Sequence, residues 1–444
     1  MSGSARSNVG MHPVSVMTKT RVVGAVALLL VLSEPSRAQV ASAGAPAAAR
    51  RSAVVTADAR ARLDATLRAV VDSGWTAGVS ALVWEKGREV YFGAAGMADR
   101  EARRPMSRDA IVQIFSMTKP VTGVALLQLV EQGKVALDEP VARYLPELAN
   151  VRVYAGADAS GAPLLVAPRR PMTVRDLTRH TAGFATGGDN PGVGPLLVRA
   201  DPMNRQNTLA QMVEKLASVP LWFHPGEKWA YGPAVDVQAA LVERVSGQPF
   251  DAYVREHILA PLRMTETHYV VPETARHRFA ALYQRSDARP LARVPDAQAF
   301  AFNTRAWPLT PGGFGLTATI DDYLRFARML LDGGTLDGTR ILRPETVRLM
   351  ATSHLADSVT DRSWLPSKGQ VGFGVDVAVR TRPPASSAEN NGAVGEFFWD
   401  GAASTLFWVD PSNQLAAVFF VQVVPFDGRL HKAIRDAVYG PVVP

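Results

Sequence analysis

The sequence predicts an α/β fold of the α+β kind, in which one antiparallel sheet is built from both ends of the chain and a mostly helical region is inserted between them. Three observations carry this expectation. Strand-forming runs lie near the N-terminal end at 78–84 and 89–93, and they return at 372–380, 397–399, 405–409 and 414–424. Between them, helical apolar spacing dominates, broken by connections rich in proline and glycine such as 186–194 and 225–232. Helices separating two sets of strands suit a layered domain better than an alternating parallel one. The expected division is a sheet subdomain at 56–110 and 315–444 and a helical subdomain at 111–314, without internal repeats.

The composition, 47% hydrophobic and 20% charged over 444 residues, suits a globular protein with a sizeable core. The formal charge is +7. Arg6, Lys19, Arg21 and Arg37 supply much of it, and the other arginines are scattered, so there is no footprint for nucleic acid. Lys19 and Arg21 precede an apolar run at 22–32, which is followed by Ser36-Arg37-Ala38. This has the order of an export signal ending at 38, and its run is too short to span a bilayer. The expected location is the periplasm or the exterior of a bacterium, with no stable membrane span after cleavage. Residues 39–55, rich in Ala, Gly, Pro and Ser, read as a flexible leader. The chain has no cysteine, which excludes disulfides, thiolate metal sites and a lipid-anchored cysteine.

In chain order, structure begins with an amphipathic helix at 57–72, and a hairpin turning at Lys86-Gly87 follows. A helix starting near Ser116 carries Val121, Val124, Leu126, Leu127 and Val130 around most of its circumference, so it is expected to be buried on most sides until Gly133 ends it. Further helices are expected at 174–179, 208–217, 235–246, 250–258 and 320–331, the last stopping at Gly333-Gly334. Asp410-Pro411-Ser412-Asn413 marks a turn between the last strands, and a helix at 428–438 closes the chain.

Ser116-Met117-Thr118-Lys119-Pro120 places a hydroxyl and an amine one helical turn apart on one face. Proline is tolerated only in a first turn, so Pro120 puts the helix start beside Ser116, where unpaired N–H groups favour an alkoxide and an oxyanion. The alternative is a serine cap with a solvated lysine. Against it, only eight lysines occur among forty arginines, and Lys119 alone has a serine three residues before it.

A serine nucleophile needs a partner to take its proton. None of the eight histidines has a telling context, and Gly-x-Ser-x-Gly and His-Glu-x-x-His are both missing. His180 at a helix end reads as a cap. Tyr231, followed by Gly232-Pro233, falls in a loop before a helix, where its phenol either points into a cleft or is half-buried core. The segment Trp399-Asp400-Gly401-Ala402-Ala403-Ser404 carries four small residues between two β runs. It is either a strand that lets another backbone approach and offers an N–H, or a tight bend.

These pieces, in this order, resemble the serine β-lactamase and penicillin-binding-protein superfamily, most closely its class C-like branch that includes family VIII carboxylesterases. The resemblance spans roughly 56–440. It is supported by Ile114-Phe115 before the serine, Leu137-Asp138-Glu139-Pro140-Val141, Met172-Thr173-Val174-Arg175-Asp176-Leu177 with His180-Thr181-Ala182-Gly183, and Gly312-Gly313-Phe314-Gly315-Leu316. It implies that Ser116 is the acylated nucleophile and Lys119 its proton partner. Tyr231 would be the general base or relay, and the backbone N–H groups of Ser116 and Ala402 the oxyanion hole. Trp399, Asp400 and Gly401 would border the substrate in place of the family's Lys-Thr-Gly box.

Two departures bear on the substrate. Tyr231-Gly232-Pro233 lacks the asparagine of the family's Tyr-Ser-Asn box, and Trp399 replaces a lysine that engages a β-lactam carboxylate, while Asp400 adds a negative charge. Tryptophan suits an apolar acyl or alcohol group. The resemblance therefore implies an exported serine hydrolase for small carboxylic esters, needing no metal or organic cofactor. β-Lactamase, D-amino-acid peptidase and acyltransferase activities of the same fold are the alternatives, followed by a non-catalytic scaffold or a slowly acylating receptor.

Overall fold

The computed structural model describes residues 52–190, 192–286 and 289–443. The expected export signal at 1–38 and most of the expected leader at 39–55 lie outside these residues. The leader's last residues are tied down: the N–H groups of Val54 and Val55 donate to the Glu85 carboxylate at 2.6 and 3.2 Å. The helix Ala57–Asp72 then begins, its Thr56 side chain accepting from the Ala59 N–H.

The main sheet has eight antiparallel strands. From one edge to the other they run Val371–Phe373, Ala378–Arg380, Phe397–Asp400, Leu406–Asp410, Leu415–Val421, Gly78–Glu85, Arg88–Asp99 and Arg104–Pro105. The two ends of the chain meet where Gly78–Glu85 pairs with Leu415–Val421, Val79 opposite Val421. The expected sheet of mixed origin is therefore present. Both central strands are almost wholly buried because the sheet is covered on both faces. Tyr91, paired with Val83, donates to Asp64 of the first helix, while Trp84, pointing the other way, lies under the Arg328 guanidinium of the helix Ile320–Leu331.

The helix Thr118–Glu131 is buried on almost every side, as its composition demands, and packs against Ala234–Ser246. The segment 312–317 laces it in place. Thr122 Oγ1 donates to the Gly312 carbonyl at 2.7 Å, the Leu316 N–H to Thr118 Oγ1 at 3.2 Å, and the Ile114 N–H to the Leu316 carbonyl at 3.1 Å. Gly312 is required there: a Cβ would lie 2.4 Å from the Val235 carbonyl oxygen.

The inserted region is less purely helical than its periodicity suggests. Val153–Ala157 pairs with Pro163–Val166 around a turn in which Asp158 Oδ1 accepts the N–H groups of Ser160 and Ala162. A second hairpin, Tyr283–Ser286 with Arg289–Arg293, is extended by Val423–Val424 running parallel to it. The expected strand 414–424 is thus divided, because the Gln422 side chain turns to bond the backbone of Gln113. The expected helix 250–258 becomes an α-turn Phe250–Val254 followed by a π-turn Arg255–Leu259. Among the described residues no helix is long and apolar enough to cross a membrane.

The closing helix Gly428–Tyr439 is fastened by buried charge. Glu396 Oε1 accepts from Arg380 at 2.9 Å and from Arg435 at 2.7 Å, and all three side chains are fully buried. The Arg435 guanidinium also lies over the rings of Phe398 and Trp408. Removing the one anion strands two cations in the interior. Glu396→Gln is therefore expected to lower unfolding stability by about 3–5 kcal/mol, read from the denaturant midpoint; an unchanged midpoint would show that the triad is not what fastens this helix.

Candidate active site

The chain approaches Ser116 through a strained turn. Phe115 has φ +44°, a left-handed conformation costly for a bulky residue, and a single 3₁₀ turn Phe115–Met117 leads into the helix Thr118–Glu131. Ser116 does not cap this helix, whose first residues have no side-chain cap. Its Oγ instead accepts from Lys119 Nζ at 3.2 Å, which removes the capping alternative. Lys119 is buried, and its Nζ also donates to the Gly313 carbonyl at 2.7 Å and lies 4.5 Å from the centre of the Tyr231 ring. The Gly313 N–H is in turn held by Asp236 Oδ1 at 2.9 Å. Burial raises the Asp236 carboxyl above its ordinary value, and the Lys119 charge opposes that rise.

Tyr231 stands in the loop before Ala234–Ser246, where Pro233 occupies the cap position. Its ring is clamped by aromatics: His180 at 4.7 Å, Trp364 at 5.2 Å and Trp399 at 5.6 Å between centroids. Among the described residues nothing bonds its phenol oxygen, which leaves that atom available to a ligand. His180 closes the helix Val174–Thr178 through its backbone, left-handed at φ +57° with the Thr181 N–H returning to the Asp176 carbonyl at 2.9 Å, and its side chain takes no part in that cap. Both its nitrogens are buried without a partner, and its ring packs among Trp229, Tyr231 and Phe373. Burial, aided by the Lys119 charge, holds His180 well below the usual imidazole range, so it is a neutral wedge.

The small-residue segment does what its composition allows. The strand Phe397–Asp400 ends and Gly401 passes so close to the turn before Ser116 that a Cβ there would sit 2.5 Å from the Ile114 carbonyl oxygen. This brings Ala402 beside Ser116 on the same cavity. The N–H groups of Ser116 and Ala402 have no acceptor among the described residues. Two lobes meet at Ser116, Tyr231 and Ala402. The larger, about 610 Å³, is walled by Leu197, Val198, Met203 and Phe314; the smaller, about 360 Å³, by Trp364, Ser367, Lys368, Asp400, Gly401 and Phe426.

Two expectations about this segment need correcting. Trp399 is fully buried and does not line either lobe; it backs Tyr231 and Trp364, and Trp364 is the exposed wall. Asp400 does not present a bare charge, because the buried Lys368 ammonium pairs with its Oδ2. A lysine therefore does stand beside this segment, supplied by position 368. Neither Trp364 nor Lys368 belongs to a recognisable motif; the only available signal was the rarity of lysine in this chain. Behind Asp400, His431 Nδ1 lies 3.9 Å from Oδ2 and its Nε2 contacts the Ser404 carbonyl.

Two tests follow from this geometry. Gly401→Ala should push Ile114 away, slow phosphonate labelling of Ser116 about a hundredfold and lower stability by about 1–3 kcal/mol; normal labelling would mean the close approach is dispensable. Burial depresses His431 from 6.5 to about 4. Its contribution to stability is then complete above pH 6.5 and lost as pH falls through 4. The melting temperature of the wild type should fall over this window more steeply than that of His431→Gln, and parallel curves would refute the assignment.

Comparison with known proteins places the whole chain around this site in a family. The Beta-lactamase family profile matches residues 63–439. Protein Rv1367c of Mycobacterium tuberculosis is 36% identical over 371 residues, covering 81% of this chain and 89% of its own. Esterase EstB of Burkholderia gladioli is 32% identical over 401 residues, covering 85% and 95%. The solved structure of EstCE1, described as a hydrolase with promiscuous acyltransferase activity, superposes with a TM-score of 0.70 at 27% identity, over 86% of this chain and 99% of that one. A profile match over almost all the described residues, together with relatives above 30% identity along most of the chain, shows that the chain belongs to the Beta-lactamase family, within the serine β-lactamase and penicillin-binding-protein superfamily.

Proposed function

We propose that the protein is a serine hydrolase of the carboxylesterase type that cleaves small carboxylic esters through an acyl-enzyme on Ser116. The observation that carries this reading is the 3.2 Å contact between Lys119 Nζ and Ser116 Oγ beneath the Tyr231 ring. The Ser116 oxygen attacks the ester carbonyl while Lys119 and Tyr231, as acceptor and relay, take up its proton. The carbonyl oxygen becomes an oxyanion facing the N–H groups of Ser116 and Ala402. The tetrahedral adduct collapses, the C–O bond breaks, and the alcohol leaves with the proton returned through Tyr231. Water then adds to the acyl group by the same route and frees Ser116.

Esters are favoured over β-lactams by Pro233, which supplies no side-chain amide. The charge of Asp400 no longer argues in the same direction, since Lys368 offsets it. The esterase named EstB and the hydrolase EstCE1 support the assignment. A second reading, transfer of the acyl group to an alcohol, is favoured by the two lobes that both reach Ser116, because one can hold an acyl chain while the other admits an acceptor. Export under the signal at 1–38 belongs to the same proposal and is supported by the charged and apolar pattern there.

With p-nitrophenyl butyrate, Ser116→Ala is expected to lower kcat/KM at least about a thousandfold, and Tyr231→Phe about a hundredfold or more, both folded. Undiminished turnover by folded Ser116→Ala, or a phosphonate adduct on another serine, would sink the reading.

A further inference from the structure

We infer that the smaller lobe, walled by Lys368 and Asp400, is a subsite for a neutral, hydroxyl-bearing alcohol portion of the substrate. This rests on the ester-hydrolase reading above and names the substrate class that reading leaves open. Lys368 and Asp400 are each more than nine-tenths buried, yet both border the cavity beside Ser116. An ammonium has three donors. Here one meets Asp400 Oδ2, and the rest of the charge faces the Phe426 ring at 4.0 Å and the Trp364 ring at 5.4 Å. Asp400 Oδ1 accepts no hydrogen bond among the described residues, and the Ser367 hydroxyl on the same wall is likewise unbonded. The lobe therefore offers unfilled donors and an unfilled acceptor side by side within aromatic walls.

That combination selects against net charge. A ligand carboxylate would meet Asp400, and a ligand ammonium would meet Lys368, each in a confined, poorly screened space. A hydroxyl suffers neither repulsion: it can donate to Asp400 while accepting from Lys368. Its carbon skeleton can lie against Trp364 and Phe426. The alcohol side of the ester is assigned here because the larger lobe has the apolar walls Leu197, Val198, Met203 and Phe314, which match an acyl chain, while Tyr231, which returns the proton to the departing oxygen, borders both lobes and so reaches an alcohol held in the smaller one.

The test compares n-propyl butyrate with 2,3-dihydroxypropyl butyrate, which share an acyl group and differ in two hydroxyls. Wild type should favour the hydroxylated ester in kcat/KM by about tenfold or more. The paired variant Lys368→Met/Asp400→Leu removes both charges together, so that neither is left alone in the interior. In that variant, its fold verified by near-ultraviolet circular dichroism, the ratio should fall to about one. If the variant does not fold, wild type decides alone, through its ratio and through stronger competitive inhibition by glycerol than by 1-propanol. A wild-type ratio of one or less overturns the subsite, as does a preference that survives in the folded variant or a greater preference for esters whose alcohol carries a carboxylate or an ammonium. A preference for hydroxyls on the acyl side, read with propyl 3,4-dihydroxybutyrate, overturns the assignment of the lobe to the alcohol. Ser116-dependent cleavage of both esters without discrimination removes this inference alone. Cleavage of neither, or cleavage that survives Ser116→Ala, removes the ester-hydrolase reading with it.

Discussion

The rest of the site depends on how a lysine ammonium is kept inside the protein. Lys119 sits on a helix buried almost all round, where a cation without acceptors would cost several kcal/mol. Its acceptors are Ser116 Oγ and the Gly313 carbonyl. The second is available only because Gly312 lets its loop slide between two packed helices, and because Asp236 fixes the neighbouring peptide by its N–H. Satisfying the ammonium and positioning Ser116 are thus one structural problem. The loop that solves it also carries the hydrogen bonds that hold the helix start in place.

Around that core, Tyr231 is positioned by packing instead of by hydrogen bonds. His180, Trp364 and Trp399 contact its ring, and Trp229 and Phe373 brace them in turn. Aromatic rings have few rotatable bonds, so a cluster of them fixes a phenol without competing for its oxygen. A neutral histidine suits this role where a protonated one would not, since a second positive charge would disturb Lys119. The buried, partnerless nitrogens of His180 are the local cost of that choice.

What could be read from the sequence was whatever is encoded locally. The Ser116–Lys119 pair, the buried character of their helix and the strands at both chain ends follow from spacings of two to four residues. Gly401 and Ala402 were legible as a place for close approach, though not as an approach to Ile114. Trp399 was legible as a large apolar residue near the site, but whether it faces the cavity or the core depends on which strand covers it. Lys368 and Trp364 were invisible because their relation to Asp400 and Tyr231 arises from segments distant in sequence, in a stretch with neither periodicity nor motif. The hairpin at 153–166 was hidden for another reason: its turn is made by an Asp158 side chain in a run that otherwise reads as an irregular connection.

The pairing of Val79 with Val421 has a consequence for how the molecule is made. The strand Gly78–Glu85 leaves the ribosome long before one of its two neighbours, Leu415–Val421. Until then the sheet has an open edge in its middle, and its first hairpin is only marginally stable. Contacts so distant in sequence make folding slow and force the sheet to wait until the chain has been made through Val421. A product truncated before residue 415 would therefore keep an exposed, apolar strand edge and be prone to associate with other copies, however intact the segment bearing Ser116 and Lys119.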